Sequence, residues 1–225
     1  DEVLVVGELA ENPHYQGTGS SRVNPTQVVS LTQALEKAGL SWQYCRGYQI
    51  DGEAKDDEQL EMACKAAEGK LAVIVVAGLT KEDEAESYDR QHLRLQRRQN
   101  DLIEKLTEVN PNLIVILQGG GVMELPWFEK VPSLLFVGLA GQAIGEGCLD
   151  LLLGKTNPSG KLAESWPMML EDVPSGAGFG QRFNTPYLES IFVGYRYYSS
   201  AKKEVRFPFG HGLSYTDFEF SDLSL

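Results

Sequence analysis

The sequence predicts an α/β fold, a layered sandwich in which a mostly parallel central sheet is flanked by helices. Short β-branched apolar runs alternate with amphipathic stretches over residues 3–153, which is typical of parallel strands joined by crossover helices. The runs Leu71–Ala77 and Leu113–Leu117 are apolar on both faces, as expected for strands buried between two helix layers.

The single elements follow from periodicity and stop signals. Apolar residues at near-helical spacing predict a helix over Thr26–Ala38, and Asn110-Pro111 ends another over Gln96–Val109. The order β-α-β-α-β-α-β-β-α that results is that of a flavodoxin-like or (α/β)6 sandwich. Two more helices are predicted, at Asp56–Glu68 and at Gly141–Leu153, and Met62 is expected in the apolar stripe of the first. The remaining strands are predicted at Val3–Val6, Ser41–Cys45 and Leu134–Val137.

The composition changes after about Gly160. Residues Pro167–Thr185 are rich in Pro, Gly and Ser and show little periodicity, and the stretches Ile191–Tyr198 and Phe207–Gly212 are rich in aromatic and turn residues. We expect this part to be a long irregular aromatic C-terminal arm of extended chain, packed on the sandwich. Residues 1–225 are therefore predicted to form a single domain.

Charge and cysteine usage exclude several classes of partner. The chain has 20 Lys and Arg against 32 Asp and Glu, a net charge of −12, which disfavours a nucleic acid or an anionic membrane as partner. Cys45, Cys64 and Cys148 show no CxxC spacing, so we expect free thiols and neither a metal nor another cofactor. Free thiols and a first segment without a signal peptide favour the cytoplasm, although a signal outside this segment would leave localisation open.

Two glycine-rich motifs do not meet the requirements of phosphate loops. Gly154-Lys155-Thr156 follows a predicted helix and has Leu149 where a P-loop needs Gly, and Gly17-Thr18-Gly19 has Arg22 where a dinucleotide fingerprint needs its third Gly. A nucleotide-binding flavodoxin-like protein is therefore the least favoured function. The sequence also has no G-x-S-x-G, the motif that carries the serine nucleophile of α/β-hydrolases.

The informative segment is Lys81–Arg90, just past the carboxyl end of the strand predicted at Leu71–Ala77. Ligand groups gather at that edge of open α/β sheets. Crowding of like charges favours the protonated form of one carboxyl, as a general acid needs, and Arg90 could order the loop by pairing with Asp89. A solvated acidic loop is the alternative. The five carboxylates belong to Glu82, Asp83, Glu84, Glu86 and Asp89.

A series of motifs resembles the C-terminal α/β-sandwich domain of glycoside hydrolase family 3, the β-glucosidase-like enzymes. Glu86-Ser87-Tyr88-Asp89-Arg90 resembles an E-G-x-D-R loop of that family, with Ser87 in place of Gly. The likeness covers almost the whole chain. The other matching runs are Gly19–Pro25, Gln118–Gly120, Glu124–Trp127, Gly141–Ala143 with Gly145-Glu146, Asn157–Leu162, Trp166-Pro167, Ile191–Tyr198 and Phe207–Thr216.

The resemblance implies a retaining β-glycosidase that removes terminal β-linked sugars from oligosaccharides or glycosides. It implies that Glu86 is the general acid/base, with Glu84 as the runner-up, and that the nucleophilic Asp lies on a (β/α)8 barrel domain absent from this chain. The chain alone should then be inactive. Asp89, Arg90, Ser20, Ser21 and Arg22 are candidates for binding substrate or ordering the loops.

Other interpretations stay open from the sequence alone. A non-catalytic α/β module that binds a small ligand or a partner domain is the alternative function. Neither the sugar and linkage nor the order of the two domains follows from these residues. Trp127 and Trp166 could stack on a sugar, but we expect both tryptophans to be packing residues, as we do for His211.

Overall fold

The computed structural model describes residues 2–51, 56–180 and 183–224. Its five-stranded sheet is parallel throughout, in the order β2-β1-β3-β4-β5. This is the flavodoxin-like order, so the predicted fold class is confirmed. The strands are β1 (Val3–Val6), β2 (Trp42–Cys45), β3 (Ala72–Gly78), β4 (Leu113–Gln118) and β5 (Ser133–Gly138), and the helices of this part are α1 (Leu31–Lys37), α2 (Asp56–Ala67), α3 (Arg97–Val109) and α4 (Ile144–Leu152).

The core lies in the middle of the sheet. Every residue of β3 after Ala72 is buried, and β4 is buried except for Ile114, which is half-buried. In the strand register Val6 of β1 pairs with Val75 of β3, and Gly78 of β3 pairs with Gln118 of β4. The carboxyl ends of β1, β3 and β4 therefore lie next to one another. The loops that follow these three strands must therefore meet at one edge of the sheet.

Helix α1 begins later than predicted, at Leu31 instead of Thr26. Ser30 and Gln33 form a capping box, in which each side chain accepts a hydrogen bond from the other residue's backbone N–H. Val29, which contributed to the apparent helical periodicity, instead donates its N–H to the Gln142 carbonyl at 2.9 Å. The capping residues, and not the apolar spacing, decide where this helix starts.

Helix α2 shows a second departure from the prediction. Ala63 and Ala67, which are spaced four residues apart, are fully buried, whereas Met62 is 60% exposed. Adjacent helical positions differ by about 100° around the axis, so Met62 is turned away from the face that Ala63 and Ala67 bury.

The chain divides into two compact units, Asp1–Leu149 and Asp150–Leu225. The second contains the antiparallel pair β6 (Trp166–Pro167) and β7 (Val205–Phe207), and the helix α5 (Tyr195–Ala201). The prediction that Ile191–Tyr198 is extended is wrong. Residues from Tyr195 onward are helical, and Lys202, in the left-handed conformation, ends the helix. The prediction of a single domain stays a prediction.

In the second unit Trp166 and His211 both pack against Phe207. The Trp166 ring meets Phe207 edge-on at 5.6 Å between centroids, and His211 stacks on Phe207 at 4.8 Å. Trp166 is 2% exposed. Both residues therefore pack as expected from the sequence.

The three cysteines are free thiols, as predicted. In the described part of the chain, no helix is both long and apolar enough to cross a bilayer. Within the same residues, His, Cys, Asp and Glu side chains form no group of three or more that could hold a metal ion.

Candidate active site

Three loops converge at the carboxyl edge of the sheet, and each follows one of the three central strands. The loop after β1 contains Thr18, the loop after β3 contains the acidic segment, and the loop after β4 contains Gly120. In parallel sheets this edge is where binding groups collect, at the point where the strand order changes direction. Here that point lies between β1 and β3.

Thr18 joins the first two of these loops through its backbone. Its N–H donates to the Glu84 carbonyl at 3.2 Å, and its carbonyl accepts from the Glu86 N–H at 3.0 Å. The two segments thus form a short parallel bridge between Thr18 and Ala85. Because Thr18 is bonded on both sides of Ala85, the backbone of Glu84 and Glu86 is held against the loop after β1.

Glu86 lies on the outside of this bridge and is exposed. Its Oε2 accepts the backbone N–H of Ser20 at 2.9 Å, and its other oxygen has no hydrogen-bond partner among the residues described. One oxygen is therefore fixed by the loop after β1, and the other remains available to a ligand.

Gly19 is the residue that allows Ser20 to reach Glu86. Its φ is +124°, and a Cβ built there would lie 2.5 Å from the Glu86 Cβ and 2.6 Å from its Oε2. Both the conformation and the close approach exclude any side chain larger than hydrogen. Gly19 therefore sets how closely the loop after β1 meets the acidic segment.

Glu84 has a different environment from Glu86. Its side chain is 12% exposed, and its Oε2 lies 2.5 Å from Nε2 of the buried His14. Its Oε1 accepts the backbone N–H of Gly120 at 2.6 Å. Both oxygens are thus engaged, and the carboxylate connects the loops after β1, β3 and β4.

Arg90 does not pair with Asp89, so this part of the prediction is wrong. Its Nη1 donates to the Val122 carbonyl at 2.8 Å, while Nε and Nη2 are buried without a hydrogen-bond partner among the described residues. Burial lowers the pKa of Arg90, and the charges of nearby carboxylates, Asp83 foremost, oppose that shift. Arg90 therefore joins the loops after β3 and β4, while Asp89 is exposed.

The remaining candidates from the sequence lie on the surface of the same loops. Ser20, Ser21 and Arg22 are all exposed, and the Arg22 N–H donates to the Gly19 carbonyl at 3.3 Å. Gln16 closes this loop through two hydrogen bonds of 2.9 Å to the backbone of Val23. Ser20 takes part in the site through its backbone.

Ser87 occupies the position at which the sequence departs from the E-G-x-D-R pattern. Its φ is +72°, in the left-handed region that favours glycine. The loop therefore keeps a turn with positive φ although the residue is Ser. A non-glycine residue in this region costs about 1–2 kcal/mol.

Trp127 is a packing residue in this structure. It is 1% exposed, and its indole N–H donates to Oδ1 of Asn100 in α3 at 2.9 Å. An indole whose faces are enclosed by protein cannot serve as a platform for a sugar ring.

From the sequence, Gly17–Arg22 could line the cleft near the sugar or be a simple connecting loop, but the contacts of Thr18 and Gly19 with the acidic segment were not predicted. Neither were the roles of His14 and Gly120. Gly17-Thr18-Gly19 has the pattern of an incomplete phosphate loop, Gly19 also opens a run that matches the family, and His14 belongs to no motif. The signal in the sequence that could have found this loop was the pair Gly17 and Gly19 after a predicted strand, because closely spaced glycines indicate that the backbone lies close to another group. The group approached is a carboxylate of another loop.

Comparison with known proteins identifies the family. The family model described as "Glycosyl hydrolase family 3 C-terminal domain" matches residues 1–215. This chain belongs to glycoside hydrolase family 3. Within that family the matched part is the C-terminal domain, as the motif series predicted.

Relatives of this family 3 domain differ in the sugar that their names give. Thermostable beta-glucosidase B of Acetivibrio thermocellus is 43% identical over 227 residues, covering 99% of this chain and 30% of that protein. An exo-alpha-(1->6)-L-arabinopyranosidase of Bifidobacterium breve is 35% identical over 226 residues, covering 100% of this chain and 30% of that protein. Family membership therefore leaves the sugar open.

A solved structure supports the same assignment. The family 3 beta-glucosidase of Bifidobacterium adolescentis superposes with a TM-score of 0.90 at 36% identity, over 95% of this chain and 32% of that one. The family 3 domain described here thus spans about a third of the length of the proteins it matches.

Proposed function

We propose that this chain supplies the general acid/base, Glu86, of a retaining β-glycosidase of the β-glucosidase-like type. The nucleophilic Asp of that enzyme would lie on a (β/α)8 barrel domain, which is the partner of this domain within one protein. A retaining pair of carboxyl groups stands about 5–5.5 Å apart across the sugar. A chain that supplies one of the two groups cannot complete this geometry, so the isolated domain is inactive.

The contrast between Glu86 and Glu84 carries the assignment of the acid/base. An acid that must give a proton to a leaving group, and later take one from water, needs an oxygen that can reach the substrate. Glu86 is exposed and has one oxygen without a partner among the described residues, whereas both oxygens of Glu84 are bonded inside the loops. Glu84 therefore supports the site from within.

The proposed reaction has two steps. In the first, the Asp of the barrel attacks the anomeric carbon, the bond to the leaving oxygen breaks, and the Glu86 carboxyl gives its proton to that oxygen. In the second, the Glu86 carboxylate takes a proton from water as the water oxygen attacks the anomeric carbon and releases the Asp. The Ser20 N–H holds one Glu86 oxygen, so the same oxygen faces the sugar in both steps.

The substrate class is a terminal β-linked glucoside, in an oligosaccharide or another glycoside. This proposal rests on the family and on the names of relatives such as the beta-glucosidases of Acetivibrio thermocellus and Kluyveromyces marxianus. The alternative, a non-catalytic module that binds a small ligand or a partner domain, predicts no dependence of any catalytic rate on Glu86.

Azide rescue tests the role of Glu86 in the complete enzyme. In Glu86→Ala, an activated aryl glucoside still forms the glycosyl-enzyme, but water then lacks a base and turnover is slow. Azide needs no base, so it should raise the rate at least about tenfold and yield the β-glucosyl azide. Rate and product can be followed by absorbance and by NMR.

Glu82→Ala is the matched control for this experiment, because Glu82 is an exposed carboxylate of the same loop. It should hydrolyse the glucoside at the wild-type rate and form no azide product. If Glu84→Ala formed the β-glucosyl azide and Glu86→Ala did not, Glu84 would be the general acid/base. The isolated 225-residue chain serves as the blank.

Gly19→Ala should displace the Glu86 carboxyl group. The new methyl group would occupy the space of the Glu86 side chain, and a displacement of about 1 Å costs on the order of 100-fold in rate. We expect kcat for a glucoside with a poor leaving group to fall by about that factor in the complete enzyme.

Gly39→Ala separates this clash from the cost of backbone strain. Gly39 also has a positive φ, +66°, but no atom lies within 4 Å of the position that a Cβ would take there. Its variant should lose some stability and keep kcat. A Gly19→Ala enzyme with the wild-type kcat would show that the approach of this loop to Glu86 does not matter for catalysis.

A further inference from the structure

We infer that His14 is a positioning residue, which holds the acidic segment through Glu84 and thereby sets the place of Glu86. This inference rests on the proposed function of Glu86. His14 lies in the loop after β1, 70 residues from Glu84 in sequence, and is 4% exposed.

The backbone of His14 is anchored to the end of the sheet. Its N–H donates to Oε1 of Gln118 at 2.7 Å, and Gln118 is the last residue of β4 and is itself buried. Nε2 of Gln118 also donates to the Leu9 carbonyl at 3.4 Å. The imidazole therefore extends from a point that the sheet fixes.

From this point the imidazole reaches the Glu84 carboxylate. Nε2 lies 2.5 Å from Oε2, within hydrogen-bonding distance, and the Gly120 N–H binds the other oxygen. A carboxylate that is 12% exposed needs these partners, because burying an unpaired charge is costly. If the imidazole is lost, one Glu84 oxygen loses its partner, and the carboxylate is expected to move toward water.

A movement of Glu84 would reach Glu86 through the backbone. The Glu84 carbonyl accepts the Thr18 N–H, and the Thr18 carbonyl accepts the Glu86 N–H. Two residues after Thr18, the Ser20 N–H binds the Glu86 carboxylate. The bridge that His14 stabilises through Glu84 is thus the same bridge that presents Glu86, so His14 acts on the acid/base without touching substrate.

Variants of His14 in the complete enzyme test this inference. His14→Phe keeps the ring but has no donor, so kcat for a glucoside with a poor leaving group should fall by up to about 100-fold. KM should change little, since the His14 side chain is buried within the loops. His14→Gln can place an amide N–H near the position of Nε2 and should restore most of kcat.

The double variant His14→Phe with Glu86→Gln shows whether His14 acts through Glu86. If it does, His14→Phe adds almost no loss once the acid is gone. A full additional loss of rate in the double variant would overturn the inference. So would a loss of kcat/KM in His14→Phe alone that is equal for poor and activated leaving groups, because kcat/KM reports the step in which Glu86 acts as the acid. If His14→Phe does not fold, His14→Asn, whose amide ends short of Glu84, takes its place against His14→Gln.

Failure of the proposed function has a different signature. In that case the loss of kcat/KM in Glu86→Gln does not depend on the leaving group, whatever the His14 variants do. The positioning role of His14 is then overturned as well, because it rests on Glu86. If Glu86→Gln shows the dependence and His14→Phe matches the wild type, only the inference about His14 is overturned.

Discussion

Replacement of Glu86 by Gln in the complete enzyme should slow the hydrolysis of glucosides with poor leaving groups by about 10²- to 10⁴-fold. Gln has nearly the same shape as Glu and can accept the Ser20 N–H, but it has no proton to give to the departing oxygen. An alkoxide leaving group needs that proton, whereas a dinitrophenolate leaves without it. Formation of the glycosyl-enzyme from the activated aryl glucoside should therefore stay close to the wild-type rate.

The measurement is kcat/KM for a series of glucosides whose leaving groups differ in pKa, because kcat/KM reports steps up to formation of the glycosyl-enzyme. The plot of log kcat/KM against leaving-group pKa should be steep for Glu86→Gln and shallower for the wild type. Glu82→Gln removes the same charge from the same loop and should give the wild-type slope. An equal loss across the series in Glu86→Gln would remove Glu86 from the acid role.

Replacement of Trp127 by Ala should lower the free energy of unfolding by about 3–5 kcal/mol, the usual cost of removing a fully buried aromatic side chain. Trp127 is 1% exposed, and loss of its indole also leaves Oδ1 of Asn100 without the donor it now has. Both effects act on the contact between α3 and the segment after β4. We expect the variant to unfold at a clearly lower urea concentration.

Urea denaturation followed by far-ultraviolet circular dichroism measures this change without depending on tryptophan fluorescence. The free energy of unfolding should fall less in Trp127→Phe, because Phe keeps most of the apolar volume and lacks only the indole N–H. Trp42 in β2 is half-buried, and Trp42→Ala should therefore also lower the free energy of unfolding by less than Trp127→Ala does. If Trp127→Ala kept its stability but raised KM, Trp127 would be a sugar platform.

Much of the fold could be predicted because it depends on local patterns. Strands β3 and β4 are apolar on both faces, and this already indicates a parallel sheet covered by helices on both sides. The boundaries that were missed depend on single interactions. The capping box of Ser30 moved the start of α1, and Gly194 and Lys202, both with positive φ, flank a helix where extended chain was expected.

The candidate site was predictable in part for the same reason. The position of the acidic segment just after a buried strand indicated the correct edge of the sheet, since ligand groups collect at the carboxyl ends of parallel strands. The partners of these carboxylates could not be predicted. Arg90, expected to bind its neighbour Asp89, instead binds the carbonyl of Val122, 32 residues further along the chain.

The sequence by itself determined the class of the fold, the family and the loop that carries Glu86, because periodicity, turn residues and motifs are properties of contiguous residues. Only the tertiary structure decided which loops meet that segment. The order β2-β1-β3-β4-β5 brings the loops after β1, β3 and β4 together, and with them His14, Gly19 and Gly120. Strand order is settled by packing between distant segments, so no local pattern could show that Glu84 would be enclosed while Glu86 stays exposed.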